Sequence, residues 1–238
     1  MTERIYKTEE FLRAKLAESP YFRKFPEAGE YRLAHSIRVA RLAGEIARAE
    51  GMDEEAMIIA GLLHDVSYCA EFDENGWKDH GRASARIAEP FLREIGLEEM
   101  TIREICFGIA IHVDGKADFD GERTAFALTI GDADNIDRFD AYRLYETLEN
   151  VGFHRLSMPQ KRAHVKKTLK RMEEFAQMQL ATAAATALWR GRIEAYRDFY
   201  KRLAAQLARS VSYLPQDESA SDPAPEANEK LLGLAGHF

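Results

Sequence analysis

Cysteine is scarce in this chain. Cys69 and Cys106 are the two among 238 residues, too few for a disulfide framework, so a reducing cytoplasm is the expected compartment. Both sit in apolar stretches and read as small buried hydrophobes. Long hydrophobic runs are also missing. The longest, Ala56–Leu63 with Gly61 inside it, falls far short of the ~20 residues a membrane helix needs, and no membrane association is expected. The N-terminal MTERIYKTEEF is charged and has no apolar core, so no signal peptide is expected there. Positive charge is in deficit. The 33 Lys and Arg against 40 Asp and Glu give −7, which argues against a protein coated for nucleic acid; nucleic acid is not expected as a partner. One region runs the other way, with twelve Lys/Arg against four Asp/Glu between Lys161 and Arg209. That stretch is either a solvated helical face or a docking surface for an anionic partner. Internal repeats and sustained strand alternation are absent too.

What is present is helical periodicity. With 46% hydrophobic and 31% charged residues, the chain has the make-up of a globular protein able to bury a core without staples. Helices are expected over 7–18, 30–50, 54–64, 79–95, 98–113, 123–149, 160–180 and 183–209. Asp53 is a good N-cap, with Glu54 and Glu55 where the helix dipole favours acids. The helix it opens is apolar nearly all round and should be central. Loops are expected over Cys69–Lys78 and from Asp114 to Gly121. The tail from Pro215 to Lys230 has three prolines, several acids and no periodicity, the composition of a disordered segment. The fold class is all-α. Residues 1–150 are expected to form the main helical domain, 151–210 a helical extension packed on it, and 211–238 a disordered tail. Ala181–Ala187 permits close helix contact, and a homodimer is one use of the extension.

Chemistry concentrates in histidines and aspartates. His64 and Asp65 are adjacent and end the most hydrophobic helix. A polar pair there costs free energy unless it is satisfied. A metal would satisfy both, and imidazole nitrogen with carboxylate oxygen suits Mn, Fe, Co, Ni, Zn or Mg. A helix cap with backbone hydrogen bonds is the other reading. His35 lies early in an amphipathic helix, His80 opens one and His112 closes one. Taken singly, each has a structural role available, and His112 would gain from the helix dipole without any metal. Between Ile130 and Arg138, three aspartates interrupt a helix that otherwise reads as buried. At a helical period Asp134, Asp137, Arg138, Ala141 and Tyr145 share a face. Asp132 lies about 160° from Asp134, so the two do not easily serve one site.

In order, His35-Ser36-Ile37-Arg38-Val39, Ala60-Gly61-Leu62-Leu63-His64-Asp65-Val66, His80-Gly81-Arg82-Ala83-Ser84-Ala85 and Ala133-Asp134-Asn135-Ile136-Asp137 resemble the HD-domain superfamily of metal-dependent phosphohydrolases. The resemblance covers residues 30–145. It implies an HD-domain helical bundle with additional C-terminal helices. It also implies that His35, His64, Asp65 and Asp134 bind one metal, and its pattern around the last ligand selects Asp134 over Asp132. His80 and His112 match the extra histidines of the two-metal branch, in which Asp65 would bridge two divalent ions per chain.

The function so implied is hydrolysis of a phosphate ester, of a nucleotide or a small organic phosphate, by a metal-activated hydroxide. Asp65 would hold the ions together, and Asp137 would orient a ligand or relay a proton. Arg38, Lys116 and Arg138 are candidates to bind substrate phosphate. Two other readings stay open: a mixed-valence di-iron oxygenase using the same six ligands, and a non-catalytic module sensing a nucleotide or phosphate. His154, His164 and His237 fall outside the resemblance.

Overall fold

The computed structural model describes residues 1–70, 76–210 and 213. Among them the regular elements are all helices: α1 (Glu3–Glu18), α2 (Pro20–Lys24), α3 (Pro26–Glu50), α4 (Glu54–Leu63), α5 (Gly76–Glu94), α6 (Glu99–Ile111), α7 (Ala125–Asp137), α8 (Ala141–Asn150), α9 (Met158–Phe175) and α10 (Ala183–Ala208), with short 3-10 turns at Val66–Cys69 and Phe153–Arg155. The fold is all-α, as the periodicity predicts: a helical bundle followed by α8, α9 and α10. No described helix is long and apolar enough to cross a membrane.

Local chemistry sets the boundaries. Thr2 caps α1 and Ser19 caps α2, each accepting a backbone N–H. Pro26 occupies the first turn of α3, where its missing N–H is harmless. Gly51 ends α3 in the left-handed region at φ +69°. Asp53 accepts from the Ala56 N–H at 3.0 Å, with Glu54 and Glu55 behind it.

The helix that Asp53 opens is the centre of the bundle. α4 buries Ala56, Met57, Ile59, Ala60, Leu62 and Leu63 and packs against α1, α3, α6 and α7. Its contact with α3 is close because position 61 is glycine. A Cβ there would stand 2.6 Å from the Ala40 Cα.

The expected single helix over 123–149 is two helices. α7 ends at Asp137, and Asp140 starts α8 by accepting from the Ala141 N–H at 2.7 Å. An aspartate that caps the next helix offers the backbone an alternative to continuing the last one. The intervening Phe139 is buried.

Contacts divide the chain into two units, Met1–Arg138 with Gln179–Leu188, and Phe139–Met178 with the residues from Trp189 onward. In the second, Phe139 meets Trp189, Phe175 and Tyr196 edge-on at 5.0–5.4 Å between ring centroids. Trp189 Nε1 donates to the Phe175 carbonyl at 2.8 Å. Ser157 and Gln160 form a capping box at the start of α9. Of the loop expected over Cys69–Lys78, residues 71–75 lie outside the described residues, as does the tail expected to be disordered except for Tyr213.

Candidate metal centre

Five elements of the first unit deliver polar side chains to one buried place. His35 comes from the middle of α3, His64 from the C-cap of α4, Asp65 from the residue after it, His80 from α5, His112 from the C-cap of α6, and Asp134 with Asp137 from α7. His35, His64, Asp65, His80, Asp134 and Asp137 are all buried.

Backbone carbonyls fix two of the rings. His64 Nδ1 lies 2.7 Å from the Gly61 carbonyl and His112 Nδ1 lies 2.7 Å from the Ile109 carbonyl. Each Nδ1–H donates there, which leaves each Nε2 lone pair facing inward. Asp137 does the same for His35, its Oδ2 lying 2.8 Å from Nδ1. Arg38 in turn holds Asp137 with Nε and Nη2 at 2.7 and 3.1 Å.

The inward atoms crowd together. His35 Nε2 is 3.2 Å from Asp134 Oδ1 and 3.6 Å from Asp65 Oδ2. His64 Nε2 is 3.4 Å from the same Asp65 Oδ2 and 4.0 Å from Asp134 Oδ1. The other oxygen of Asp65, Oδ1, is 3.2 Å from His80 Nε2 and 3.6 Å from His112 Nε2. Those last two nitrogens are themselves 3.2 Å apart. His35, His64 and Asp134 form one group able to hold an ion, and His64, Asp65 and His112 a second.

Whether these residues suit a metal can be judged from the atoms that lack partners. His64 Nε2, Asp65 Oδ1 and Asp134 Oδ1 are buried and make no hydrogen bond. Unpaired buried polar atoms cost about 1–3 kcal/mol each, and here all three converge on the same place with nitrogen and oxygen donors suited to divalent first-row ions. The donor set fits two divalent ions.

Charge is distributed to match. Burial alone would raise the carboxyl pKa of Asp65 and Asp134. For Asp65, His64 and Arg32 outweigh it; for Asp134, Arg138 and His35 do; both stay well below the usual carboxylate range. Burial pushes His112 down, keeping it neutral. Burial also opposes charge on His35, but the adjacent carboxylates of Asp134 and Asp137 win and raise it to about 9. Asp132, by contrast, is turned away: its Oδ2 accepts from the Ala181 N–H at 2.8 Å.

Of the three cations expected to meet phosphate, Arg138 pairs with Asp134 at 2.8 Å and is 35% exposed. Arg38 is tied to Asp137, as above. Lys116 is exposed, and its backbone engages Asp114 and Arg82. The sequence reading missed Arg32. Its guanidinium pairs with Asp65 Oδ2 and lies over the Tyr68 ring, 3.6 Å from its centroid. The signal was available, since Arg32 precedes His35 by three positions and shares its helix face.

Residues 32–139 match the HD domain family. This stretch of the chain is an HD domain. Its His/Asp clusters are candidates to hold divalent ions. Parts of the chain are similar to ribonuclease Y of Mycoplasma capricolum subsp. capricolum, 44% identical over 63 residues, or 26% of this chain and 12% of that protein. Ribonuclease Y of Lactobacillus helveticus is 44% identical over 48 residues, 20% of this chain and 9% of that protein. The Mesoplasma florum ribonuclease Y is 32% identical over 77 residues, 32% and 14% of the two chains. The matches thus span 9–14% of these relatives' own length. A solved structure described as a predicted HD superfamily hydrolase, from an uncultured Thermotogales bacterium, has 21% identity over 73% of this chain and 79% of that one, at a TM-score of 0.49. The ribonuclease Y matches overturn one expectation. Nucleic acid is set aside on net charge alone, and net charge is a sum over the whole chain that does not describe what any one part of it meets.

Proposed function

We propose that the HD domain hydrolyses a phosphate ester of a nucleotide or a small organic phosphate, with Asp65 bridging two ions. One observation supports this above others: the two carboxylate oxygens of Asp65 face different histidine pairs, Oδ2 toward His35 and His64, Oδ1 toward His80 and His112. In this reading His35, His64, Asp65 and Asp134 hold one ion, and Asp65, His80 and His112 the other. Divalent ions bound there supply a water of lowered pKa and positive charge for phosphoryl oxygens.

The chain's own contribution is positional. Asp137 accepts from His35 Nδ1–H and so aims Nε2 inward, and the Gly61 and Ile109 carbonyls do the same for His64 and His112. Burial excludes bulk water around Asp65 and strengthens its interactions. Arg138 extends from Asp134 toward solvent and meets the substrate phosphate. Arg38 steadies Asp137, and Lys116, exposed after α6, is the third candidate cation. Free Cys69 and Cys106 suit a cytoplasmic enzyme.

A second reading, cleavage of a phosphodiester in RNA, is favoured by the ribonuclease Y matches. Elemental analysis of the purified protein, joined to a panel of nucleotides, small phosphoesters and short RNA with Mn, Ni, Co and Fe, tests both. Metal-dependent release of phosphate from a small ester supports the first reading, and chain cleavage of RNA the second. Oxygen consumption by iron-loaded protein without hydrolysis would contradict both.

A further inference from the structure

The second unit carries a surface that the metal centre does not use. Between Met158 and Met172, α9 has six Lys/Arg and no acid. Local helix energetics do not favour this arrangement. The first turn of α9 contains no acid, although the helix dipole favours acids there and disfavours cations. Arg162 and Lys166, Lys166 and Lys170, and Lys167 and Arg171 stand four apart, where like charges repel. α10 behaves differently, for it interleaves Glu194 and Asp198 among Arg190, Arg192, Arg197, Lys201 and Arg202. In α9 the acids come only afterward, at Glu173 and Glu174.

Lys166, Lys167 and Lys170 are exposed, and no ion pair joins them among the described residues. Arg162 is engaged elsewhere, its Nη2 donating to the Leu207 carbonyl at 3.1 Å. The apolar side of α9 is already occupied, with Val165, Met172 and Phe175 buried. A helix that lies on a lipid surface needs an apolar face to insert beside its charges, and α9 has none to spare. A row of unpaired cations without an apolar flank fits a polyanion that stays in water.

We infer that the exposed face of α9, centred on Lys166, Lys167 and Lys170, binds the sugar–phosphate backbone of a nucleic acid. Its affinity comes from counterion release and is indifferent to base sequence. This binding stands apart from the hydrolase reading, because none of the three lysines belongs to the metal centre.

The test uses this whole chain as purified and a fluorescently labelled phosphorothioate oligoribonucleotide, with anisotropy followed across a salt series. Against wild type, the triple variant Lys166→Gln, Lys167→Gln, Lys170→Gln should bind at least tenfold more weakly at low salt. The slope of log affinity on log salt should fall by about 2, as removal of three single-strand phosphate contacts requires. Helical circular dichroism and turnover of a small phosphoester should be unchanged in that variant, which separates this inference from the hydrolase reading. An oligodeoxyribonucleotide that binds equally well assigns the affinity to the backbone alone. Tighter binding of the ribonucleotide adds the 2′-hydroxyl. No binding by wild type, an unchanged slope in the variant, or binding to phosphatidylserine vesicles but not to the oligonucleotide would each overturn the inference.

Discussion

Two aspartates on α7 illustrate how much a position decides. Asp134 Oδ1 is buried among His35 and His64, whereas Asp132 two residues earlier caps the Ala181 backbone. Asp134→Ala should abolish metal content and turnover. Asp132→Ala should cost about 1 kcal/mol from the lost hydrogen bond and leave turnover nearly intact; denaturant melts and elemental analysis of both variants check this. The distinction was legible in the helical period, which puts the two carboxylates on nearly opposite sides. Arg32 was overlooked because its one cue, a helix face shared with His35, gains chemical meaning only when Asp65 is known to lie beside it. Proton linkage supplies another prediction. His35 is raised from 6.5 to about 9 in the metal-free site. Its proton therefore stabilises that state fully below pH 6.5, and the contribution is lost as pH rises through 9. An ion must displace this proton, so metal affinity should strengthen as pH rises toward about 9, with proton release on binding. Calorimetry in buffers of different ionisation enthalpy measures both, and pH-independent affinity between 6 and 9 would refute the assignment of His35 as a ligand.

At the level of elements, the centre depends on how closely helices approach. Gly81 lets α5 lie against the end of α6: a Cβ there would stand 2.8 Å from the Ile109 and Ala110 carbonyls and 3.2 Å from His112 Nδ1. Gly81→Val should push His80 from His112, destabilise the fold by about 1–3 kcal/mol through overpacking, and lower the metal content. Thermal melts with elemental analysis read both effects. Full metal occupancy in this variant would mean that His80 is not needed. The existence and order of these helices followed from apolar periodicity and from caps such as Asp53. The division of α7 from α8 did not, because 123–149 keeps a helical pattern across it. Asp140 was the local signal for a new helix. Phe139 completes the explanation, but its aromatic neighbours Phe175, Trp189 and Tyr196 are distant in sequence and emerge only on folding.

Over the whole molecule, stability and metal binding are linked. A protein that gathers His35, His64, Asp65 and Asp134 in its interior should be stabilised by whatever ion they hold. At a free metal concentration a hundredfold above the dissociation constant, the gain is about 2.7 kcal/mol per ion. Chelator should lower the melting temperature and added Mn should restore it, as scanning calorimetry would show. A melting temperature indifferent to both would mean that the clustered donors bind no ion. The global charge, by contrast, was a poor guide to partners. A net charge of −7 conceals the run of cations on α9. Anomalous-scattering maps from crystals grown with Mn put the ligand assignment to the test. Two peaks are expected on either side of Asp65, one shared with His35, His64 and Asp134 and the other with His80 and His112. No peak there, or side chains turned toward separate places, would contradict the assignment.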